Sequence, residues 1–380
     1  MLTKLKKIDI EILGIMLLFM AASTLIVRSA TYGDPEYLNY DIKTLVFYGL
    51  GFAVMLCVML FDYRILVKGS LVIYGVGILS LIAVFFLGSE INGAKGWFRV
   101  GGFLVQPAEF VKLAIIIVVA YFLQKREGNP LKLFTDVIPI GVIVFVPFLL
   151  VMMQPDLGNA VIYVIILLGM FWIGNIKLAH VLMSLALIGA GLVLFLFLFN
   201  TYNENIKTYL EDHDKEHWYQ RINTFVNPEQ ASSDQSYQVR NSMIAIGSGS
   251  LTGDGYMKGN SKNKRFIPFA YSDSIFVVIG EEFGFVGASV LLLLYFLLIY
   301  RMILIAIQCR DISGSYIIVG IVSMFVFQIF ENVGMLIGMM PLTGITLPFI
   351  SYGGSSLLIN MVCVGIVLSI KAHQNSYTTA

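Results

Sequence analysis

Apolar runs of about twenty residues recur along nearly the whole chain, separated by short polar stretches. Each is long enough to carry a helix across roughly 30 Å of hydrocarbon. The pattern predicts ten such helices, at about 9–29, 43–61, 66–88, 107–124, 136–153, 157–174, 178–199, 273–300, 312–337 and 349–370. One polar segment is long, about 200–265, and falls between the seventh and eighth helices. The expected fold is an all-α integral membrane protein, a single polytopic domain over residues 1–380. The run from Pro341 to Ser356 departs from the pattern because it is rich in turn formers. It reads as a re-entrant or broken segment, which a membrane tolerates only where it is buried in protein or lines a cavity.

Composition agrees: 58% of residues are hydrophobic and 13% charged, against about 25% charged in soluble domains. The first apolar run is too long for a signal-peptide core and has no small-residue cleavage site, so it reads as a retained span. Lys and Arg in short loops set orientation. With the N-terminus in the cytoplasm, twelve (Lys4, Lys6, Lys7, Arg64, Lys68, Lys125, Arg126, Lys132, Lys177, Arg301, Arg310 and Lys371) fall inside, and four (Arg28, Lys43, Lys95 and Arg99) fall outside. Both termini are therefore expected in the cytoplasm and the long loop outside. Net charge is +1, which argues against a nucleic-acid partner. Cys57, Cys309 and Cys363 lie far apart in or beside apolar runs, with no pair placed for a disulfide. Asn92 to Arg99 reads as an interfacial hairpin, with Trp97 and Phe98 at headgroup depth.

The candidate chemistry lies where carboxylates enter apolar runs. An ionised side chain near the bilayer centre costs roughly 2.5–3.5 kcal/mol on insertion scales, so each one needs a partner or a wet cavity. In this topology Glu109, Asp156 and Asp273 all sit at outward-facing helix starts, where the helix dipole favours negative charge and a phosphate can bind. Capping alone would explain one such acid; three on one side, with Lys112 one turn below Glu109, point to a shared site. Lys112 would neutralise Glu109 or Asp156, or face a substrate diphosphate. Glu281 and Glu282, about 12 Å along the eighth helix, are read as structural, with Gly280, Gly284 and Gly287 allowing close packing. In the loop, His213 and His217 stand at a zinc-like spacing; with no third ligand nearby, a solvated helix face is the better reading.

These residues carry a resemblance. Asn92-Gly-Ala-Lys-Gly-Trp, Gln106-Pro-Ala-Glu-Phe-Val-Lys, Gln154-Pro-Asp-Leu-Gly, Ile244-Ala-Ile-Gly-Ser-Gly, Gly280-Glu-Glu-Phe-Gly and Pro341-Leu-Thr-Gly through Ser351-Tyr-Gly-Gly-Ser-Ser fall in the order of the SEDS family, the RodA/FtsW/SpoVE proteins of bacterial cell-wall synthesis. The likeness runs essentially end to end and is most like RodA. It implies ten helices in the bacterial plasma membrane and a peptidoglycan glycosyltransferase acting on lipid II. It also implies a class B penicillin-binding protein as transpeptidase partner within the elongation or division machinery. It places the essential aspartate on Asp273, and substrate-binding roles on Lys112, Glu109, Asp156, Arg221, Lys43, Ser242 and Arg265. The chain departs from the family pattern at Pro268-Phe-Ala-Tyr-Ser-Asp273, where Pro-Glu-x-His-Thr-Asp is usual. It departs again at Lys43-Thr44, where Arg-Gln is usual, at Gly253-Asp-Gly255, and at Asn241 before Ser242.

In the chemistry so implied, Asp273 is the base toward an acceptor hydroxyl, and Lys112, helped by Arg221 or the Lys262–Arg265 cluster, holds the departing diphosphate. No cofactor is assigned beyond a divalent cation (Mg or Mn) that would share the diphosphate's charge. Two other functions fit the same features. One is a lipid II flippase, although transporters place such groups near the midplane. The other is a non-catalytic scaffold that activates its partner, which the altered residues before Asp273 motivate.

Overall fold

Alternation of apolar runs and breakers sets the element order of the chain, described here from a computed structural model that covers residues 9–91, 94–101, 103–212, 219, 233–260 and 266–374. The helices are α1 Ile10–Thr31, α2 Tyr40–Leu60, α3 Tyr63–Lys68 and α4 Ser70–Leu87, followed by strands β1 Ser89–Ile91, β2 Ala94–Val100 and β3 Phe103–Val105. Then come α5 Pro107–Gln124, α6 Ile138–Met152, α7 Leu157–Ile173, α8 Leu178–Thr201, α9 Asn203–Asp212, α10 Ser233–Ser248, α11 Ile275–Gln308, α12 Ile312–Leu336 and α13 Gly354–His373. Among the described residues eight helices are long and apolar enough to cross a membrane, and two further apolar stretches, Leu157–Ile173 and Gly189–Thr201, are shorter.

Three corrections to the sequence reading follow. The protein is not purely helical: β1, β2 and β3 form an antiparallel sheet in that order. The hairpin continues into a third strand: Ala94, Lys95 and Trp97 of β2 pair with β1, and Phe98 to Val100 pair with β3. The third predicted span is split at Gly69 into α3 and α4. The eighth runs on to Gln308 and contains a break at Gly284, φ 62° and ψ −160°, a region that only glycine occupies readily.

α5, α12 and α13 form the interior, while α1, α2, α4 and α6 expose most of their apolar residues. That exposed surface is what lipid would cover. Close helix approach holds the interior: Gly320 lies against Ile116 and Met170, and Gly77 against Val111, as small residues permit in membranes.

The break at Gly284 is where a polar segment docks. Asp254 and Gly255 donate their N–H groups to the Glu281 and Glu282 carbonyls, each at 3.0 Å, and Phe285 and Val286 donate to Ser250 and Leu251 at 3.0 and 3.1 Å. The Glu281 carboxylate accepts from the Asn260 N–H at 2.8 Å, and Glu282 accepts from Met257 N–H at 3.1 Å and Ser29 Oγ at 2.7 Å. The two glutamates therefore have the structural role expected, but their partner is this polar segment and α1.

Of the irregular stretch after α12, Ile345 and Leu347 to Ser351 are buried, while Gly344 is exposed. Three helices supply donors to three successive carbonyls: Tyr295 Oη to Pro348, Tyr48 Oη to Phe349, and Ser23 Oγ to Ile350 at 2.8 Å. The backbone groups that no helix satisfies are thus met by hydroxyls from α11, α2 and α1. Phe349 is wedged between Phe19 and Phe325, with ring centroids 5.5 and 5.3 Å away.

Candidate active site

Asp273 lies in the turn that leads into α11, just ahead of the span. Three hydrogen bonds tie this turn to the irregular segment and α12, and a fourth joins those two to each other. Asn332 Nδ2 donates to the Asp273 and Ile345 carbonyls, both at 2.7 Å. Ser351 Oγ donates to the Ser272 carbonyl at 2.7 Å, and Tyr352 N–H to the Tyr271 carbonyl at 2.9 Å. The carboxylate faces the backbone of Gly344, where an added Cβ would sit 3.7 Å from Oδ2. Its Oδ1 is buried and meets no hydrogen-bond partner. Burial pushes the carboxyl up to about 6, against the opposing hydrogen bonds of its own turn and Ser274. A base near that value is ionised at neutral pH and still able to accept a proton.

The second group sits at the start of α5. Pro107 occupies its first turn, where a missing N–H breaks no helical bond. Lys112 Nζ is 2.8 Å from Glu109 Oε2, with the lysine side chain 0% and the glutamate 7% exposed. The contact joins opposite charges but lacks hydrogen-bond alignment, so neither atom has a hydrogen-bond partner. A buried ammonium with unused donors is costly and is suited to an incoming anion. Asp156, by contrast, is fully engaged. It caps α7 by accepting from Asn159 N–H at 3.1 Å, and also takes Asn159 Nδ2 and Gln106 Nε2, both at 2.8 Å.

The link between the two groups is the segment Thr343–Ile345. On one side Gly344 adjoins the Asp273 carboxylate; on the other, Thr343 and Ile345 pack on Gly158 of α7, two residues from Asp156. The structure therefore brings Asp273 and Asp156 to opposite sides of one short segment. Lys112 is enclosed, and an apolar cavity of about 420 Å³ between α11 and α12 lies elsewhere, lined by residues such as Leu292, Phe296 and Phe330.

Sequence reasoning missed several buried polar residues, of which Glu331 and Asn332 contact the Thr343–Ile345 segment. Glu331 is 2% exposed; one carboxylate oxygen accepts from Thr343 Oγ1 at 3.1 Å and the other has no partner. Gln328 Oε1, Asn332 Oδ1 and both side-chain polar atoms of Asn360 are likewise buried without hydrogen bonds. Single polar residues inside apolar helices are themselves the signal that could have found them.

Two of the remaining predicted residues connect to the Asp273 turn through a neighbour. Lys43 lies in the first turn of α2, its Nζ 4.7 Å over the Tyr40 ring. Ser242 is buried in α10 and donates to its own helix, to the Gln238 carbonyl at 2.8 Å; Gln238 Nε2 in turn reaches Ser274 Oγ at 3.3 Å. Arg221, Arg265, His213 and His217 lie outside the described residues. Among the described residues no group of three His, Cys, Asp or Glu side chains could hold a metal ion.

Comparison with known proteins covers the whole chain. Residues 4–376 match the profile of the FtsW/RodA/SpoVE family, described as a cell cycle protein. The chain is 34% identical to stage V sporulation protein E of Bacillus subtilis over 98% of this chain and 99% of that one. It is 31% identical to the peptidoglycan glycosyltransferase MrdB of Escherichia coli K12, over 97% and 94% of the two chains. Among solved structures it resembles a chain from work on the structural coordination of polymerization and crosslinking by a peptidoglycan synthase complex, with TM-score 0.78 and 27% identity, covering 97% of this chain and 98% of that one.

Proposed function

The chain belongs to the FtsW/RodA/SpoVE family, and from that premise we propose that it is a peptidoglycan glycosyltransferase that polymerises lipid II in the bacterial plasma membrane. In this reading ten helices cross the bilayer, both termini are cytoplasmic, and Glu109, Asp156 and Asp273 lie toward the outer face. The partner is a class B penicillin-binding protein, in keeping with the likeness to a peptidoglycan synthase complex.

The reaction joins the 4-hydroxyl of an acceptor to the anomeric carbon of a donor. Asp273 takes the hydroxyl proton as the new C–O bond forms, and the bond from the anomeric carbon to the polyprenyl diphosphate breaks. The diphosphate leaves with the bonding pair, and Lys112 offsets its charge. One carboxylate base without a nucleophilic partner corresponds to direct displacement with inversion. Glu109 and Asp156 keep Lys112 and the α5 and α7 starts in place. Because Lys112 is enclosed, donor binding includes an opening step. A divalent cation would offset the diphosphate's charge, but the described residues offer no group of three ligands to hold one, and no step above depends on it.

The observation that carries the reading is the buried Lys112 ammonium with unused donors, in a polar layer that reaches the Asp273 turn through Thr343–Ile345. The test is lipid II polymerisation by the purified protein with its transpeptidase partner in detergent, where translocation has no meaning. Wild type should make glycan strands and Asp273→Asn should make none while melting as a folded protein. Strands from Asp273→Asn would remove Asp273 as base.

A further inference from the structure

Beside Asp273 stands a group of tyrosines to which the reaction above assigns nothing. Tyr37 comes from the 3-10 turn Pro35–Tyr37, Tyr40 from the start of α2, Tyr271 from the turn before α11, and Tyr352 from the end of the re-entrant segment. Their rings meet in one cluster. Tyr37 and Tyr271 centroids are 4.6 Å apart, Tyr40 and Tyr271 5.3 Å, Tyr40 and Tyr352 4.2 Å and stacked, and Tyr271 and Tyr352 5.9 Å. All four are half-buried. Lys43 Nζ lies 4.7 Å over the Tyr40 ring at the rim.

We propose that Tyr37, Tyr40, Tyr271 and Tyr352 form a stacking platform for the acceptor saccharide, with Lys43 at its rim. This inference rests on the glycosyltransferase reading and names the subsite that presents the acceptor to Asp273. A pyranose ring has one face of C–H groups that packs on aromatic rings and an edge of hydroxyls that tyrosine oxygens and an ammonium can hydrogen-bond. Tyrosine offers both kinds of contact. Position supports the assignment. Tyr271 is two residues from Asp273, about 7 Å of extended backbone at most, and Tyr352 is hydrogen-bonded to the Tyr271 carbonyl at 2.9 Å. The backbone of the platform thus adjoins that of the base. Tyr271 and Lys43 are also two of the positions at which this chain departs from the family pattern. The competing role for interfacial tyrosines is anchoring to the membrane surface. Anchors stand singly toward lipid, whereas these four rings, drawn from three distant stretches of chain, pack on one another beside a carboxylate.

Two measurements on the full-length protein test this. The first uses the soluble disaccharide of the peptidoglycan repeat, which lacks the diphosphate and lipid that Lys112 would engage, and reads saturation transfer by NMR. Wild type should show transfer to the sugar C–H protons; Tyr40→Ala and Tyr271→Ala should weaken binding about tenfold; Tyr40→Phe and Tyr271→Trp should restore most of it. The second is lipid II polymerisation with the transpeptidase partner, in which the alanine variants should raise the half-saturating lipid II concentration about tenfold with kcat within about twofold. Should Tyr271→Ala melt before assay, Tyr37→Leu, at the cluster's edge, carries the same expectation. Unchanged sugar binding in the alanine variants, or no transfer to wild type, overturns the platform; so does a loss that Phe and Trp fail to restore, the mark of a merely structural or anchoring role. A wild type that binds the disaccharide but makes no strands counts against the glycosyltransferase reading alone.

Discussion

The Lys112–Glu109 pair allows a structural counter-ion to be separated from a group that binds substrate. Lys112→Met leaves the Glu109 carboxylate, 7% exposed, in the interior without its opposite charge. Removing one partner of a buried ion pair costs about 3–5 kcal/mol, enough that lost activity in this variant would say little. Adding Glu109→Met removes the stranded charge and replaces the pair by apolar side chains of similar volume. Replacements of that kind are often neutral or stabilising, so the double variant should melt within about 1 kcal/mol of wild type on this argument. Its activity should not recover. Removing a group that stabilises developing charge lowers turnover about 10²–10³-fold. The assay is the rate of strand formation from lipid II, with a melting curve taken in the same detergent. A double variant that melts like wild type and polymerises at the wild-type rate would show that Lys112 only neutralises Glu109, and would end the diphosphate assignment.

Two further outcomes follow from the geometry. Burial raises the Asp273 carboxyl from 3.8 to about 6, and a base must be ionised, so kcat/KM should climb with pH and level off above about 6. A raised folded-state value means the folded protein favours the protonated acid, a stabilisation complete below about 3.8 and lost as pH rises through about 6. Asp273→Asn, neutral throughout, should thus melt above wild type at pH 7 and lose that margin by pH 4; a margin independent of pH refutes the assignment. Gly284→Ala should destabilise by about 3 kcal/mol or more, since it adds strain at a glycine-only conformation and an overlap. The new Cβ would lie 2.5 Å from the Gly253 nitrogen. A melting curve matching wild type would show that the polar segment docks on α11 without needing this break.

Legibility in the sequence tracks how local the signal is. The span at 107–124 coincides with α5 because proline opens it and the apolar run ends in polar residues. The re-entrant stretch was readable from its prolines and glycines, and Glu109 and Lys112 from their helical spacing. The glutamates at 281 and 282 were read correctly as structural, but their partners at 257–260 were not, since nothing local joins them. Glu331, Asn332 and Asn360 stayed hidden because a window of twenty residues averages one polar side chain away. The β3 strand was missed because three residues give no periodicity. The tyrosine cluster is assembled across more than three hundred positions, from Tyr37 to Tyr352, and no stretch of sequence contains it.

The hydroxyls of Tyr295, Tyr48 and Ser23 on the carbonyls of Pro348, Phe349 and Ile350 have a consequence for how freely this region can vary. Side chains, rather than a helical ladder, fix the path of this segment, so each tether can be cut by removing one oxygen atom while every helix keeps its own bonds. The mobility of the segment can thus be graded one tether at a time with the bundle intact. Asp273, fastened to the same segment through Asn332 and Ser272, would register each cut as a change in its own freedom to move.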